Sequence, residues 1–278
     1  MSLDTNQSTN FTDVNGHKIA WRSIGSGRPL VMLNRFRAAI EDWDPALINA
    51  LAQNHQIITF DSAGVAASEG TVPDTLEGAA DIAMAFSAAI GLDCPDVLGW
   101  SMGGMTAQIL ASKYSDQIGR VVLAGTTPSF AIDGTIPVPQ EWLETATKEQ
   151  NTPEDMMFLF YTDSDSSRAA GMSSLTRIGR DPASGAKSKT TMETIGAQGA
   201  ATRKFFFGED GAFKKFGVID VPVLVANGDK DRAFAVENSM ALARVIPQAQ
   251  LAIYPDAGHA FLFQYADRFA QDVTEFLS

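Results

Sequence analysis

Apolar residues fall along this chain in short continuous runs separated by stretches of helical spacing. The runs Pro29–Leu33, Gln56–Phe60, Asp96–Leu98, Arg120–Ala124, Val221–Ala226 and Gln250–Tyr254 read as strands. Most carry apolar residues at successive positions, as parallel strands covered on both faces do. Pro45 to Gln53, Leu76 to Ile90, Met105 to Leu110, Glu237 to Ile246 and Ala266 to Leu277 carry the helical spacing between them. Near the start, Phe11–Val14 and His17–Trp21 flank Asn15-Gly16, the strongest short-range signal for a two-residue hairpin turn. The fold class predicted is α/β: a mainly parallel central sheet with helices on both faces and an antiparallel hairpin at one edge.

The alternation stops after Thr127. From residue 131 to 217 the pattern is helical and polar, with no convincing strand. A structureless connection of that length is implausible inside a compact domain. The segment 131–217 is therefore expected to be a helical cap, inserted into a core made of residues 1–130 and 218–278. Within it, Asn151-Thr152-Pro153-Glu154-Asp155 reads as a capped helix start with proline in the first turn.

Composition narrows the functional classes. The chain has 278 residues, 45% hydrophobic, with a formal net charge of −12. That charge disfavours nucleic acid and anionic membranes as partners, because phosphate binding needs clustered Lys and Arg. No apolar run approaches the roughly 18 residues needed to span a bilayer, and the polar Met1–Asn10 lacks a signal-sequence pattern. A single cysteine, Cys94, excludes an internal disulfide framework and a cysteine metal cluster. The expectations are a cytoplasmic protein, monomer or homodimer, that takes a small-molecule substrate and needs no cofactor or metal.

The chemistry concentrates around Gly99-Trp100-Ser101-Met102-Gly103, a G-x-S-x-G between an apolar run and a helical pattern. Strand, sharp turn with serine at its apex, then helix is the context of a nucleophile elbow. It lifts the hydroxyl clear at a helix N-terminus, where backbone N–H groups can stabilise an oxyanion. A serine hydroxyl needs a base, and the base an orienting group. Of the three histidines, His17 falls in the hairpin and His55 at a strand start. His259 follows the last strand in Asp256-Ala257-Gly258-His259 and is the natural base. The acid should come from the end of the preceding strand, where Gly228-Asp229-Lys230-Asp231-Arg232 offers Asp229 and Asp231. Ser, Asp, His is the chain order of an α/β-hydrolase.

On these residues the chain resembles the α/β-hydrolase superfamily, in the branch of small esterases, cofactor-free haloperoxidases and lactonases. The resemblance covers nearly the whole chain, the cap least. In that family the acid immediately precedes an arginine, which implies Asp231 for the role, with Asp229 second. It implies an oxyanion hole from the N–H of Met102, after the nucleophile, and of Phe36, after the first buried strand. Most members have His-Gly where this chain has Asn34-Arg35. The change is expected to restrict the backbone and place a cation near the mouth, so Arg35 or Arg37 becomes a candidate for a substrate carboxylate, against the alternative of pairing with Asp61 or Glu41. Trp100, beside the nucleophile, is a further substrate-contact candidate, with packing its alternative. Asp61-Ser62-Ala63-Gly64-Val65-Ala66-Ala67-Ser68 resembles the family's D-x-R-G-x-G-x-S loop, with Ala63 for its arginine, and is expected to be structural. The aromatic run Phe205-Phe206-Phe207 and Met156-Met157-Phe158 are placed in the cap, facing either the substrate or the cap's own core.

The function implied is hydrolysis of a small ester or lactone through Ser101, His259 and Asp231. A carbon–carbon bond hydrolase or perhydrolase with the same triad, and a ligand-binding non-enzyme of this fold, are the alternatives. A serine rather than an aspartate at the elbow argues against haloalkane dehalogenases and epoxide hydrolases. Ala260-Phe261 after the histidine, where carbon–carbon hydrolases usually carry tryptophan, weakens that alternative.

Overall fold

The computed structural model describes residues 8–179, 190–208 and 219–278. Eight strands form one sheet: β1 (Asn10–Val14), β2 (His17–Ile24), β3 (Arg28–Leu33), β4 (His55–Phe60), β5 (Asp96–Trp100), β6 (Val121–Ala124), β7 (Val223–Gly228) and β8 (Gln250–Tyr254). Their spatial order is β1-β2-β4-β3-β5-β6-β7-β8. β1 and β2 pair antiparallel, β2 pairs antiparallel with β4, and every other pairing is parallel. The hairpin turn falls where expected, with Val14 opposite His17. Asn15 and Gly16 both hold positive φ, 54° and 85°, as a type I′ turn demands. Every residue of β5, β6 and β7 is buried, because helices cover both faces there. Helices α1 (Pro45–Leu51) and α10 (Ala266–Leu277) pack together on one face, α2 (Leu76–Ala89) and α3 (Met102–Lys113) on the other. Helix α8 (Val236–Val245) lies against β7 and β8.

Observed boundaries differ from those expected by one to three residues at helix and strand ends, where frayed hydrogen bonds make the limits soft. Two short elements carry no sequence signal: the 3-10 turn Ile40–Asp42 and the helix α9 (Phe261–Gln264) directly after His259. Three or four residues are too few to show a helical period.

Among the described residues, four helices stand between β6 and β7: α4 (Gln140–Ala146), α5 (Pro153–Phe160), α6 (Asp165–Arg177) and α7 (Met192–Phe206). Residues 180–189 and 209–217 of the expected cap lie outside the described residues. Helix α5 starts as its sequence signals. Thr152 and Asp155 form a reciprocal capping box with Pro153 in the first turn. Two arginines fasten these helices to the sheet. Arg177 at the end of α6 donates two bonds, 2.8 and 2.6 Å, to the fully buried carboxylate of Asp44. Asp44 also caps α1 through Ala46 N–H. Arg37 donates to the carbonyls of Ala146, the last residue of α4, and of Lys148 and Glu149 just beyond it, where unsatisfied carbonyls and the helix dipole favour a cation.

Strand β5 and helix α3 cross with no room for a side chain between them. A Cβ at Gly99 would collide with the Gly103 carbonyl, and one at Gly103 with the Leu33 carbonyl of β3. Overpacking of this kind costs about 3 kcal/mol. Gly103→Ala is accordingly expected to lower Tm by roughly 6 °C or more, as read by scanning calorimetry. An unchanged Tm would mean that the backbone crossing relaxes freely.

Candidate active site

Strand β5 delivers Ser101 to the C-terminal edge of the sheet, and α3 begins at the next residue. The chain reverses so sharply that Ser101 takes φ 58° and ψ −117°, a sparsely populated conformation costing about 1–3 kcal/mol. Its surroundings hold it there. Ser101 N–H donates to Ala124 O at 2.9 Å. Its carbonyl accepts from Gly104 N–H, Met105 N–H and the Thr126 hydroxyl, at 2.9, 3.2 and 2.8 Å.

The side chain meets His259, with Nε2 2.9 Å from Ser101 Oγ. On the far side of the ring, Nδ1 lies 2.8 Å from Asp231 Oδ2. A carboxylate only accepts, so Nδ1 carries the proton toward Asp231 and Nε2 is left to accept from the serine hydroxyl. Asp231 spends its other oxygen on the N–H groups of Ala233 and Phe234, at 2.7 and 3.0 Å, which fixes the carboxylate plane. All three residues are buried. Of the two carboxylates at the end of β7, Asp231 reaches the histidine. Asp229 instead accepts from Ala257 N–H at 3.3 Å and acts on the turn.

His259 sits in an aromatic box. Ring centroids of Phe234, Trp100, Trp142 and Phe160 lie 5.5, 5.8, 5.8 and 5.9 Å from its own. Trp142 and Phe160 come from the inserted helices, so α4 and α5 build the histidine's surroundings. Trp100 is buried and donates its indole N–H to the His259 carbonyl at 3.0 Å. Its place is behind the site, as packing, and it does not line the cavity described next.

A cavity of about 600 Å³ opens from Ser101 between α4 and α7. Its walls are apolar: Phe36, Met102, Phe130, Trp142, Leu143 and Phe206 among them. Phe207 also lines it, whereas Phe205 is fully buried in the core. Met156, Met157 and Phe158 lie elsewhere, with Met157 buried. The aromatic run is thus divided by helical geometry, successive residues facing different ways. Phe36 and Met102 both border the cavity beside Ser101. Met102 opens α3, so its N–H has no acceptor within the helix.

Arg35 and Arg37 do not line that cavity. The buried Arg35 guanidinium lies 3.5 Å from Asp42 and stacks over Trp100 and Phe160, at 5.4 and 4.8 Å from their ring centroids. Its ion pair is with Asp42 rather than Asp61 or Glu41. Arg37, with φ 64°, is the residue in this loop that takes the left-handed conformation. Its side chain is committed to the end of α4. Asp61 accepts from Ile40 and Ala67 N–H, at 2.8 and 3.2 Å, which holds the loop structurally as expected. Asn34 ties the same loop down, accepting from the Trp43 indole at 2.6 Å and donating to Phe60 O at 2.9 Å.

Asp256, three residues before the histidine, escaped the sequence reading. Its carboxylate accepts from the hydroxyls of Ser164, Ser166 and Thr162 at 2.6, 2.8 and 3.0 Å, around the N-terminus of α6. Gln264, held by Ser167, donates to its carbonyl at 2.9 Å. Only the three-dimensional meeting of residues some 90 positions apart reveals this latch. Among the described residues, no group of three or more His, Cys, Asp or Glu could hold a metal ion. No helix among them is long and apolar enough to cross a membrane.

Residues 28–265 match the model of the alpha/beta hydrolase fold family, and the chain belongs to that family. It is 26% identical to a non-heme haloperoxidase of Rhodococcus erythropolis, over 96% of this chain and 98% of that protein. It is 23% identical to a 2-hydroxy-6-oxo-6-phenylhexa-2,4-dienoate hydrolase of Burkholderia cepacia, over 97% and 94%. Among solved structures, an alpha/beta hydrolase fold protein from Chitinophaga pinensis superposes with a TM-score of 0.84 at 29% identity, over 98% of both chains. The protein is a hydrolase-type enzyme of this fold.

The Ser164 and Ser166 hydroxyls draw the Asp256 carboxyl down to about 2. A depressed folded-state pKa means that the ionised carboxylate stabilises the fold above the ordinary carboxylate range, near about 4. That contribution disappears as pH falls from there toward about 2. Tm measured against pH should therefore decline across that window, and Asp256→Asn should flatten the decline. Identical profiles for both proteins would show that Asp256 does not control it.

Proposed function

We propose that this protein hydrolyses esters or lactones bearing an apolar group, by a serine mechanism. The observation that carries the reading is the hydrogen-bonded chain Asp231–His259–Ser101 opening into an apolar cavity. In this mechanism Ser101 Oγ attacks the substrate carbonyl carbon as His259 Nε2 takes its proton. Asp231 orients the ring and stabilises the imidazolium. The N–H groups of Met102 and Phe36 hold the oxyanion. His259 then returns the proton to the departing alkoxide, leaving an acyl group on Ser101. A water deprotonated by His259 attacks that acyl group. Collapse releases the acid and restores the serine.

The cavity favours esters over the carboxylate substrate in the Burkholderia relative's name. Arg203, whose guanidinium lies over the exposed Phe207 ring, is the one charged residue among the described residues lining it. A neutral, apolar substrate suits such walls. Perhydrolysis needs the same groups, with hydrogen peroxide in place of the deacylating water.

Fluorophosphonate labelling with mass spectrometry, beside Ser101→Ala and a panel of nitrophenyl esters and lactones, tests the mechanism. Adduct on Ser101 is expected, with kcat in the mutant reduced at least about 10³-fold. Turnover undiminished in Ser101→Ala would refute it. Arg35→Gly bears on specificity. Because Arg35 faces Asp42 and two rings, the ratio of KM for an anionic ester to that for its neutral counterpart should stay within about twofold, a difference under about 0.5 kcal/mol in binding. A tenfold rise in that ratio would return Arg35 to the substrate.

A further inference from the structure

Helix α7 carries two glycines in its interior, Gly196 and Gly199. An interior helical glycine costs stability relative to alanine, so it calls for a reason. At Gly196 the space beside the backbone is exposed surface. Gly199 is half-buried and lines the active-site cavity, yet an ideal Cβ there would meet nothing within 4 Å. The missing side chain leaves room inside the cavity.

The neighbours define where that room lies. Thr202, Arg203 and Phe206, at i+3, i+4 and i+7, line the cavity with Gly199, so one face of α7 forms the wall. Ala146 and Thr147 at the end of α4 line the same cavity. Arg37 joins the two helices at this point. Its guanidinium holds the Ala146 carbonyl, and its N–H donates to Gln198, next to Gly199, at 2.8 Å. Phe36, which lines the same cavity as Ser101, directly precedes Arg37. Gly199 on α7 and Ala146 on α4 thus both line the cavity that opens from Ser101, with large apolar side chains elsewhere in its walls.

We propose that Gly199 is a specificity-determining residue: it opens the cavity to a medium-length apolar chain, making the protein's substrates medium-chain esters or lactones rather than acetate-sized ones. The substrate class rests on the esterase reading above; the opening at Gly199 does not. A cavity of about 600 Å³ lies within the size range that encloses ligands much larger than an acetyl group.

The test compares kcat/KM for nitrophenyl octanoate and acetate in wild type, Gly199→Ala, Gly199→Leu and Gly196→Leu. Wild type should favour octanoate. The octanoate-to-acetate ratio should fall at least tenfold in Gly199→Leu, fall less in Gly199→Ala, and match wild type in Gly196→Leu. A second readout needs no turnover: 2-decanone should raise Tm of wild type and of Ser101→Ala, but not of Gly199→Leu. A ratio unchanged in Gly199→Leu, or a ketone shift as large there as in wild type, overturns the proposal. If Gly199→Leu does not fold, the graded fall in Gly199→Ala decides. If wild type turns over no ester, the esterase reading fails, and the ketone shift alone then decides Gly199.

Discussion

The crossing of β5 over α3 is the constraint on which the rest of this molecule depends. A strand and a helix meet here too closely for any side chain at Gly99 or Gly103. Ser101, caught between them, is forced to a positive φ. Four hydrogen bonds to its backbone from β6, α3 and Thr126 over-determine that conformation. Strain at one residue is tolerable only when its neighbours leave it no alternative. The reward is geometric: the hydroxyl projects from the sheet edge toward His259, at the start of a helix whose first N–H groups are unspent.

Around that point the inserted helices act as wall and support. Two of the four rings boxing His259 come from α4 and α5, and Asp256 latches the histidine's loop to the start of α6. Moving these helices would disturb both the cavity and the surroundings of His259. The arginines in the loop after β3 serve the same end. Arg37 gathers carbonyls beyond α4, and Arg35 joins Trp100 to Phe160. Where the family usually has His-Gly, this chain uses cations to bind its insertion to its sheet. Burying a guanidinium is favourable only with such partners present.

Much of this was legible from residue order. Continuous apolar runs announced buried parallel strands, and Asn15-Gly16 announced the hairpin. G-x-S-x-G between strand and helix located the elbow, because that turn depends on adjacent residues. Asp231 and His259 were readable because each follows a strand end in a short local turn. The cavity-facing members of Phe205-Phe206-Phe207 were not, since a three-residue run does not reveal which way a helix is rotated.

By itself the sequence determined what local chemistry controls: strand and helix identity, the hairpin turn, the capped start of α5 and the strained serine turn. The tertiary structure alone decided which distant groups meet. By sequence Arg35 could serve a substrate carboxylate or a structural one; packing alone encloses it with Asp42 and two rings. The partners of Arg37 lie more than 100 residues away, and those of Asp256 some 90. Turns and caps are set by neighbours along the chain. Ion pairs, aromatic boxes and cavities are set by neighbours in space, and only packing brings those together.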